Sequence, residues 1–255
     1  SENILSGIFA CLGAYDNSYA NLVGIHMEGP FIAEDKIGAQ NPKYISNANV
    51  EMTKRLDNLS GGLLKIISMA PERDGALEFA RELAADYIIS IAHTNCDYDT
   101  AIDAFQNGFS QLTHMFNAMN GIHHRAPGPI LAAYERAKYM ELITDGVHIH
   151  PAIVRMVFDL MGDRIILVSD SMRATGLADG IYDLGGQNVE VKGNTARLVD
   201  KGNIAGSVTN LFKCMQTAIA MGVDRVKAVK AASVNPARAL GLTDMGEIKE
   251  GYFAN

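Results

Sequence analysis

The sequence of 255 residues has few cysteines, a deficit of basic residues and no long apolar run. Its three cysteines, Cys11, Cys96 and Cys214, are isolated, which argues against a disulfide framework and against a cysteine metal site. Because 22 Lys and Arg face 29 Asp and Glu, nucleic acid is not expected as a partner, since phosphate neutralisation dominates such binding. No apolar run reaches the roughly 18 residues of a membrane span, and no export signal opens the chain. We therefore expect a cytoplasmic protein.

Short, continuously apolar runs recur along the chain, and most are followed by a turn and an amphipathic helical pattern. The runs begin near residues 22, 64, 87, 110, 139 and 164. Continuously apolar strands are typical of sheets covered on both faces, and most of the intervals suit one strand plus one crossover helix. The pattern therefore predicts an α/β fold, a (β/α)8 barrel of TIM type in which about six of eight strands are present.

The pattern changes after the sixth run. The segment 182–199 has glycines between short β-prone stretches and predicts a β-hairpin inserted into the barrel. Two helices follow, from about Ser207 to Met221 and from about Val223 to Ala232, with no further parallel strand. We therefore expect residues 1–255 to form a single, incomplete barrel domain whose two remaining strands lie upstream of Ser1.

Four acidic or imidazole residues directly follow apolar runs: Glu28, His93, His114 and Asp170. The carboxyl ends of parallel strands meet at the active face of a (β/α) barrel, so these side chains are expected to converge. One carboxylate and two imidazoles form an ordinary catalytic zinc set, although iron or another divalent ion accepts the same ligands. The sequence thus predicts a divalent metal centre of Glu28, His93 and His114. A lone histidine after a strand is more often a hydrogen-bonded core residue, so the prediction depends on the ordered set.

Seven ordered blocks cover nearly the whole chain: GIHMEGPF, AHTN, THMFNAM, TDGVHIHP, VSDSMRATG, IAGS and VNPARALGL. They resemble the signature blocks of the N-acetylglucosamine-6-phosphate deacetylases, a family of the amidohydrolase superfamily. The resemblance implies metal-dependent hydrolysis of the acetamide of N-acetylglucosamine 6-phosphate to glucosamine 6-phosphate and acetate, in amino-sugar metabolism. The family also has an N-terminal β-sandwich and an upstream His-x-His strand. Neither is found in this sequence, so we expect a fragment that also lacks the extreme C-terminus.

The resemblance assigns roles to further residues. Asp170 corresponds to the general base and acid, although an Asp before Ser171 could also be a capping or turn residue. Gln40 corresponds to a donor to the substrate carbonyl oxygen, with a polar loop residue as the alternative. Arg125 offers a planar fork for phosphate, and the family's arginine crosses from a partner subunit, which implies a homodimer; the alternative is a solvated loop cation. The other expected substrate-binding residues are Asn117, Ala118, His148, Ala205, Gly206 and Ser207.

Three classes of function remain open from the sequence. The first is the phosphosugar deacetylase. The second is another amidohydrolase, such as a deacetylase for the galactosamine isomer or a cyclic-amide hydrolase, although the latter usually has a carboxylated strand lysine and no lysine stands at a suitable strand end. The third is a catalytically silent fragment that only binds sugar phosphate. Turnover on a panel of substrates separates the three.

Overall fold

The computed structural model describes residues 21–253. Six parallel strands form one curled half-barrel sheet in chain order, and a helix lies between each strand and the next. The strands are β1 Ile25–Glu28, β2 Leu64–Met69, β3 Ile88–Ile91, β4 Phe109–Leu112, β5 Tyr139–Ile143 and β6 Ile165–Val168. The helices are α1 Val50–Ser60, α2 Ala76–Leu83, α3 Tyr98–Gln106, α4 Gly128–Arg136 and α5 Pro151–Met161. The predicted parallel α/β arrangement of six strands is confirmed.

Polar side chains begin several of these helices. Asn49 precedes α1, and its side chain accepts a hydrogen bond from the backbone N–H of Met52 at 2.8 Å. His150 precedes Pro151, the first residue of α5, and its ring accepts from the N–H of Ala152 at 3.2 Å. These contacts satisfy N–H groups that have no partner within the first helical turn. His150 therefore caps the first turn of α5.

The main apolar core lies between the sheet and its helices. Phe79 of α2 packs edge to face against Phe31, with ring centroids 5.4 Å apart and ring planes at 62°. Both rings are at most 2% exposed, as are Ile67 and Met69 of β2 and Leu112 of β4. Burial of apolar surface contributes about 25 cal/mol per Å², so this core is the main source of the stability of the sheet.

A chain of polar side chains runs inside the sheet beneath the strand ends. The hydroxyl of Thr113 lies 2.6 Å from the Ser68 hydroxyl and 2.7 Å from the Ser90 hydroxyl. His26 extends the chain, because its Nε2 lies 2.6 Å from the Ser68 hydroxyl. Buried polar groups are stable only when they are hydrogen-bonded, and the buried hydroxyls of Ser68, Ser90 and Thr113 satisfy one another. The network therefore links the first four strands below the active face.

A second, antiparallel sheet follows β6; we call it the small sheet (residues 180–198). Its strands are β7 Gly180–Leu184, β8 Gln187–Lys192 and β9 Thr195–Leu198. The sequence predicted a two-stranded hairpin at 182–199, and the structure has a three-stranded sheet there. Strand β7 lacks a continuous apolar run and exposes Ile181 by 65%, so its sequence carries a weak strand signal. The small sheet has its own apolar cluster, which includes Val189, Val191 and Ala205.

Three helices end the described chain: α6 Leu211–Ala220, α7 Arg225–Ala232 and α8 Val234–Ala239. The helix that was predicted to begin near Ser207 begins at Leu211, because Ser207 pairs with the chain after β6. The carbonyl of Ser207 accepts from the N–H of Met172 at 2.8 Å. Asn210 then starts the helix by accepting from the N–H of Lys213 at 2.9 Å.

Cys96 and Cys214 are both buried and free, whereas Cys11 lies outside the described residues, 21–253. None of the helices in the described range has the length and apolar character needed to cross a membrane.

Gly108 is expected to be indispensable to the packing of β4 against α2. It has φ 111°, and a Cβ there would lie 2.8 Å from the carbonyl oxygen of Ala80. Gly62 is the matched control, since it has φ 80° and a Cβ there would have no neighbour within 4 Å. Left-handed backbone costs either alanine about 1–2 kcal/mol, and overpacking adds about 1–3 kcal/mol at Gly108 alone. Urea unfolding should therefore show Gly108→Ala as the more destabilising; equal effects would contradict this account.

Candidate metal centre and cleft

The three predicted metal ligands lie together at the carboxyl ends of the strands. Glu28 is the last residue of β1, and His93 and His114 each lie two residues beyond the ends of β3 and β4. One ligand atom from each residue can be chosen so that all three lie within 4.8 Å of one another. Within residues 21–253, no other group of three or more His, Cys, Asp or Glu side chains has this spacing.

Backbone conformation aims these side chains. The backbone φ angles of His93, His114 and Asp170 are 45°, 30° and 49°. These values lie in the left-handed region, which residues other than glycine rarely adopt. Each such residue costs about 1–2 kcal/mol, so the surrounding structure must hold it in place. Neighbouring strands do so: the N–H of Met115 donates to the carbonyl of Glu141 at 2.8 Å, just after His114. Strained backbone at three site residues is typical of a functional centre.

The tautomer of His93 suits a metal ligand. Its Nδ1 lies 2.7 Å from the carbonyl oxygen of Lys36, and since a carbonyl only accepts, Nδ1 carries the hydrogen. In a neutral ring, Nε2 then has its lone pair free. This atom lies 2.8 Å from Glu28 Oε1 and 3.1 Å from His114 Nε2. A backbone carbonyl that orients a metal-binding imidazole in this way is common, so the donor set fits a divalent cation.

His114 is held mainly by packing. It is 4% exposed and meets His93 edge to face, with centroids 4.9 Å apart and planes at 78°. Its Nε2 lies 3.8 Å from Glu28 Oε1. Its Nδ1 is buried and has no hydrogen-bond partner among the described residues. The two histidines therefore differ, because only His93 has a hydrogen bond that orients its ring from behind.

Electrostatic coupling within the cluster is strong. Burial alone would raise the pKa of Glu28, but the adjacent imidazoles of His114 and His93 stabilise its charged form and hold that pKa well below its usual value. Burial likewise opposes charge on His114, yet attraction to the nearby carboxylate of Glu28 raises its pKa to about 9. Near neutral pH, His114 therefore carries a proton and Glu28 is ionised. Any cation that binds here must displace that proton, which is the usual coupling of metal binding to protonation.

Asp170 lies two residues beyond the end of β6 and lines the same cleft as the three ligands. Burial, followed by the negative charge of Glu28, raises the pKa of Asp170 to about 6, against the attraction of His114. A carboxyl group with such a pKa can exchange a proton near neutral pH. The alternative of a helix cap does not hold, because the next helix in the described chain begins at Leu211.

The cleft above the cluster has a volume of about 660 Å³. Gln40 lies on its wall, and its amide Nε2 donates to the backbone oxygen of Glu28 at 3.1 Å and to Oε1 of the same residue at 3.0 Å. In this structure Gln40 therefore orients Glu28. Its expected donation to a substrate carbonyl stays a prediction. The other predicted substrate-binding residues on the wall are Asn117, Ala118, His148 and Gly206.

The wall residues Asn117 and His148 differ in what they offer the cleft. The amide Nδ2 of Asn117 donates to the carbonyls of His114 and Met115 at 3.1 and 3.2 Å, which closes the turn after His114. His148 Nδ1 donates to Asp145 Oδ2 at 2.7 Å, which leaves its Nε2 uncommitted. The side-chain amide oxygen of Asn117 and the Nε2 of His148 are therefore the atoms left to hydrogen-bond a ligand.

Asp145 is a site residue that sequence reasoning missed. Its Oδ1 accepts from the backbone N–H groups of Val147 and His148 at 2.9 and 3.0 Å, so both carboxylate oxygens are engaged. Burial opposes its charge, but these hydrogen bonds, with that from the His148 ring first among them, lower the pKa of Asp145. Asp145 lies two residues beyond the end of β5, the same offset as His93, His114 and Asp170. That repeated offset was the signal that could have found it.

The segment Ala205–Ser207 lies beside the cleft, whereas Arg125 is not part of the cleft lining. Ala205 and Ser207 are at most 1% exposed, and the Ser207 hydroxyl donates to the carbonyl of Ser169. Gly206 alone of the three lines the cleft, where a Cβ would lie 2.9 Å from the Asp170 carbonyl oxygen. Arg125 is exposed and contacts His124 at 2.7 Å, away from the cleft lining. The expected roles of these residues stay predictions.

Comparisons with known proteins agree with this geometry. The amidohydrolase family matches residues 7–255. The chain is 44% identical over 195 residues to N-acetylglucosamine-6-phosphate deacetylase of Bacillus subtilis (strain 168), covering 75% of this chain and 49% of that protein. It is 32% identical over 240 residues to N-acetylgalactosamine-6-phosphate deacetylase of Escherichia coli O157:H7, covering 92% and 63%. The chain thus spans about half to two thirds of the length of these curated relatives.

A solved structure gives the same result for the fold. It is a variant of N-acetyl-D-glucosamine-6-phosphate deacetylase from Mycobacterium smegmatis in complex with N-acetyl-D-glucosamine-6-phosphate, and it superposes with a TM-score of 0.88 at 35% identity. The superposition covers 96% of this chain and 65% of that one. The resemblance of the seven sequence blocks is confirmed, and the chain belongs to the amidohydrolase family.

Proposed function

We propose that this protein is a metal-dependent deacetylase that hydrolyses the acetamide of N-acetylglucosamine 6-phosphate to glucosamine 6-phosphate and acetate. The observation that carries the proposal is the position of Asp170, whose pKa is raised to about 6, on the same cleft as Glu28, His93 and His114. The names of the relatives supply the substrate class. The reaction belongs to amino-sugar metabolism.

The chemistry follows from the difficulty of amide hydrolysis. An amide is a poor electrophile and water a poor nucleophile, so a divalent cation that polarises the carbonyl and lowers the pKa of water favours the reaction. Glu28, His93 and His114 would hold this cation. Asp170 accepts a proton from the attacking water as the C–O bond forms. It then donates the proton to the leaving nitrogen as the C–N bond breaks, which yields acetate and the free amine.

We further propose that the cleft wall holds the sugar phosphate. Arg125 would bind the phosphate through its planar fork from the partner subunit of a homodimer, consistent with its exposure and its distance from this chain's own cleft lining. Gln40 would donate to the acetamide oxygen with the amide hydrogen that in this structure reaches the Glu28 backbone oxygen, and would keep its bond to Glu28 Oε1. The sugar would contact Asn117, Ala118, His148 and the segment Ala205, Gly206 and Ser207.

The nature of the cation and the site of action are also proposals. One carboxylate and two imidazoles are an ordinary ligand set for zinc, which we take as the physiological metal, and iron would accept the same donors. A reducing cytoplasm is consistent with Cys96 and Cys214, which are free and buried.

A second candidate is the deacetylase of the galactosamine isomer, favoured by the 32% identity to the Escherichia coli protein of that name. The two substrates differ only in the configuration of one sugar hydroxyl. We expect kcat/KM for N-acetylglucosamine 6-phosphate to exceed that for the galactosamine isomer. Acetate release measured with both substrates at equal enzyme concentration decides between them, and a reversed preference would assign the protein to the isomer.

Metal binding is expected to depend on His93. Substitution His93→Asn removes the Nε2 ligand, so the chain should lose its high-affinity site for Zn²⁺ in a calorimetric titration. His123→Asn is the matched control, because His123 is an exposed loop histidine. Binding of one Zn²⁺ per chain should survive in the control. Retention of the site in His93→Asn would remove this residue from the ligand set.

Asp170→Asn is expected to lower turnover strongly without releasing the metal. Loss of a positioned general base and acid lowers kcat by about 10²- to 10⁴-fold. Acetate release from N-acetylglucosamine 6-phosphate with added Zn²⁺ measures the effect, and Zn²⁺ affinity is measured in parallel. Asp159→Asn, which changes an exposed helical aspartate, is the control and should retain full activity.

Turnover by Asp170→Asn at the wild-type rate would remove Asp170 from the mechanism. Binding of the sugar phosphate by the unsubstituted chain with no acetate released would contradict the proposal for this chain and favour a binding protein.

A further inference from the structure

Two metal ligands contact one irregular segment, residues 36–41, which we call the support loop. The carbonyl of Lys36 accepts from His93 Nδ1 at 2.7 Å, and Gln40 Nε2 donates to Glu28 Oε1 at 3.0 Å. The loop also lies against the His93 ring, since a Cβ on Gly38 would be 3.2 Å from its Cε1. The orientation of Glu28 and His93 therefore depends on where the support loop lies.

The support loop has little regular structure of its own. One short 3-10 turn, Glu34–Lys36, ends at its first residue, and another, Pro42–Tyr44, follows its last residue. Its opposite side is held by the small sheet: Gln187 Nε2 donates to the carbonyl of Ala39 at 2.6 Å, and Asn41 Nδ2 donates to the carbonyl of Gly185 at 3.1 Å. Ala39 also packs against the apolar cluster of the small sheet. The loop is thus sandwiched between the ligands and the small sheet.

The two hydrogen bonds to the small sheet are not equivalent. The bond from Asn41 is exposed, and Asn41 also uses its side-chain oxygen to accept from the N–H of Lys43. The bond from Gln187 is shorter and partly buried, and it joins residues 148 positions apart in sequence. A partly buried hydrogen bond competes less with water and leaves an unsatisfied carbonyl when its donor is removed. Gln187 is therefore the contact on which the loop depends more.

We propose that Gln187 is a positioning residue for the metal centre. Its amide holds the support loop at Ala39, and the loop in turn sets His93 through the Lys36 carbonyl and Glu28 through Gln40. Gln187 does not line the cleft formed by the described residues, so it acts only through the loop. The inference rests on the proposed metal site at Glu28, His93 and His114.

The neighbouring residue supplies a matched control. Successive side chains of a strand point to opposite faces, so Asn188 on β8 lies on the exposed face while Gln187 is half-buried against the loop. Gln187→Met and Asn188→Leu each replace an amide by an apolar side chain of nearly the same size. Gln187→Lys restores a donor at the end of a long side chain. Only Gln187→Met lacks the hydrogen bond to Ala39 without a replacement.

The experiment is a Zn²⁺ titration of each variant against a chromophoric chelator. Loss of a hydrogen bond to a metal ligand costs about 10- to 100-fold in metal affinity. Gln187 contacts the loop that holds the ligands and not the ligands themselves, so we expect a loss of about tenfold for Gln187→Met. Asn188→Leu should bind Zn²⁺ as the unsubstituted chain does, and Gln187→Lys should recover most of the loss. Equal affinities for Gln187→Met and Asn188→Leu would overturn the proposal, as would a loss in Gln187→Met that Gln187→Lys does not repair.

Hydrogen exchange without added metal separates this inference from the metal site itself. The N–H of Gln40 donates to the carbonyl of Ile37 at 2.9 Å and reports the order of the support loop. Its exchange should accelerate in Gln187→Met and stay unchanged in Asn188→Leu. Unchanged exchange in Gln187→Met would overturn the role of Gln187. Failure of the unsubstituted chain to bind Zn²⁺ would instead refute the proposed metal site, with the exchange result still deciding whether Gln187 holds the loop.

Discussion

The common direction of six parallel strands is the constraint on which the rest of this structure depends. Because all the strands run the same way, their carboxyl ends meet at one face, and the residues that follow them are brought together from distant parts of the sequence. Glu28 and His114 are 86 positions apart, yet both belong to one cluster of side chains that could hold a metal ion. An antiparallel sheet would have placed alternate strand ends on opposite sides.

Concentrating these groups has an electrostatic consequence. Glu28 and His114 stabilise each other's charged forms, whereas Asp170, buried beside the negative charge of Glu28, is held partly protonated near neutral pH. Two carboxyl groups of similar ordinary pKa thus acquire different properties, one suited to ligation and the other to proton transfer. The difference arises from their neighbours and from burial.

The surroundings of the cluster explain how it is held. Three site residues adopt left-handed backbone, which the pairing of adjacent strands must hold in place. From one side the support loop contacts Glu28 and His93, and the small sheet contacts that loop. The small sheet also shares its apolar cluster with Ala205, beside the segment that pairs with the chain after Asp170. The small sheet therefore contacts both the support loop and the segment around Ala205, which lie on the two sides of the cleft.

The sequence by itself determined the strand pattern and the parallel arrangement, and it predicted the candidate ligand set. These could be predicted because buried parallel strands are continuously apolar and because Glu28, His93, His114 and Asp170 stand directly after such runs. Strand β7 was missed because its residues alternate in exposure and carry little apolar signal. Only the tertiary structure decided which nitrogen of His93 is free, that Asp145 orients His148, and that Gln187 reaches Ala39. Those contacts join residues through hydrogen bonds whose geometry depends on the packing of whole elements, and sequence periodicity does not encode it.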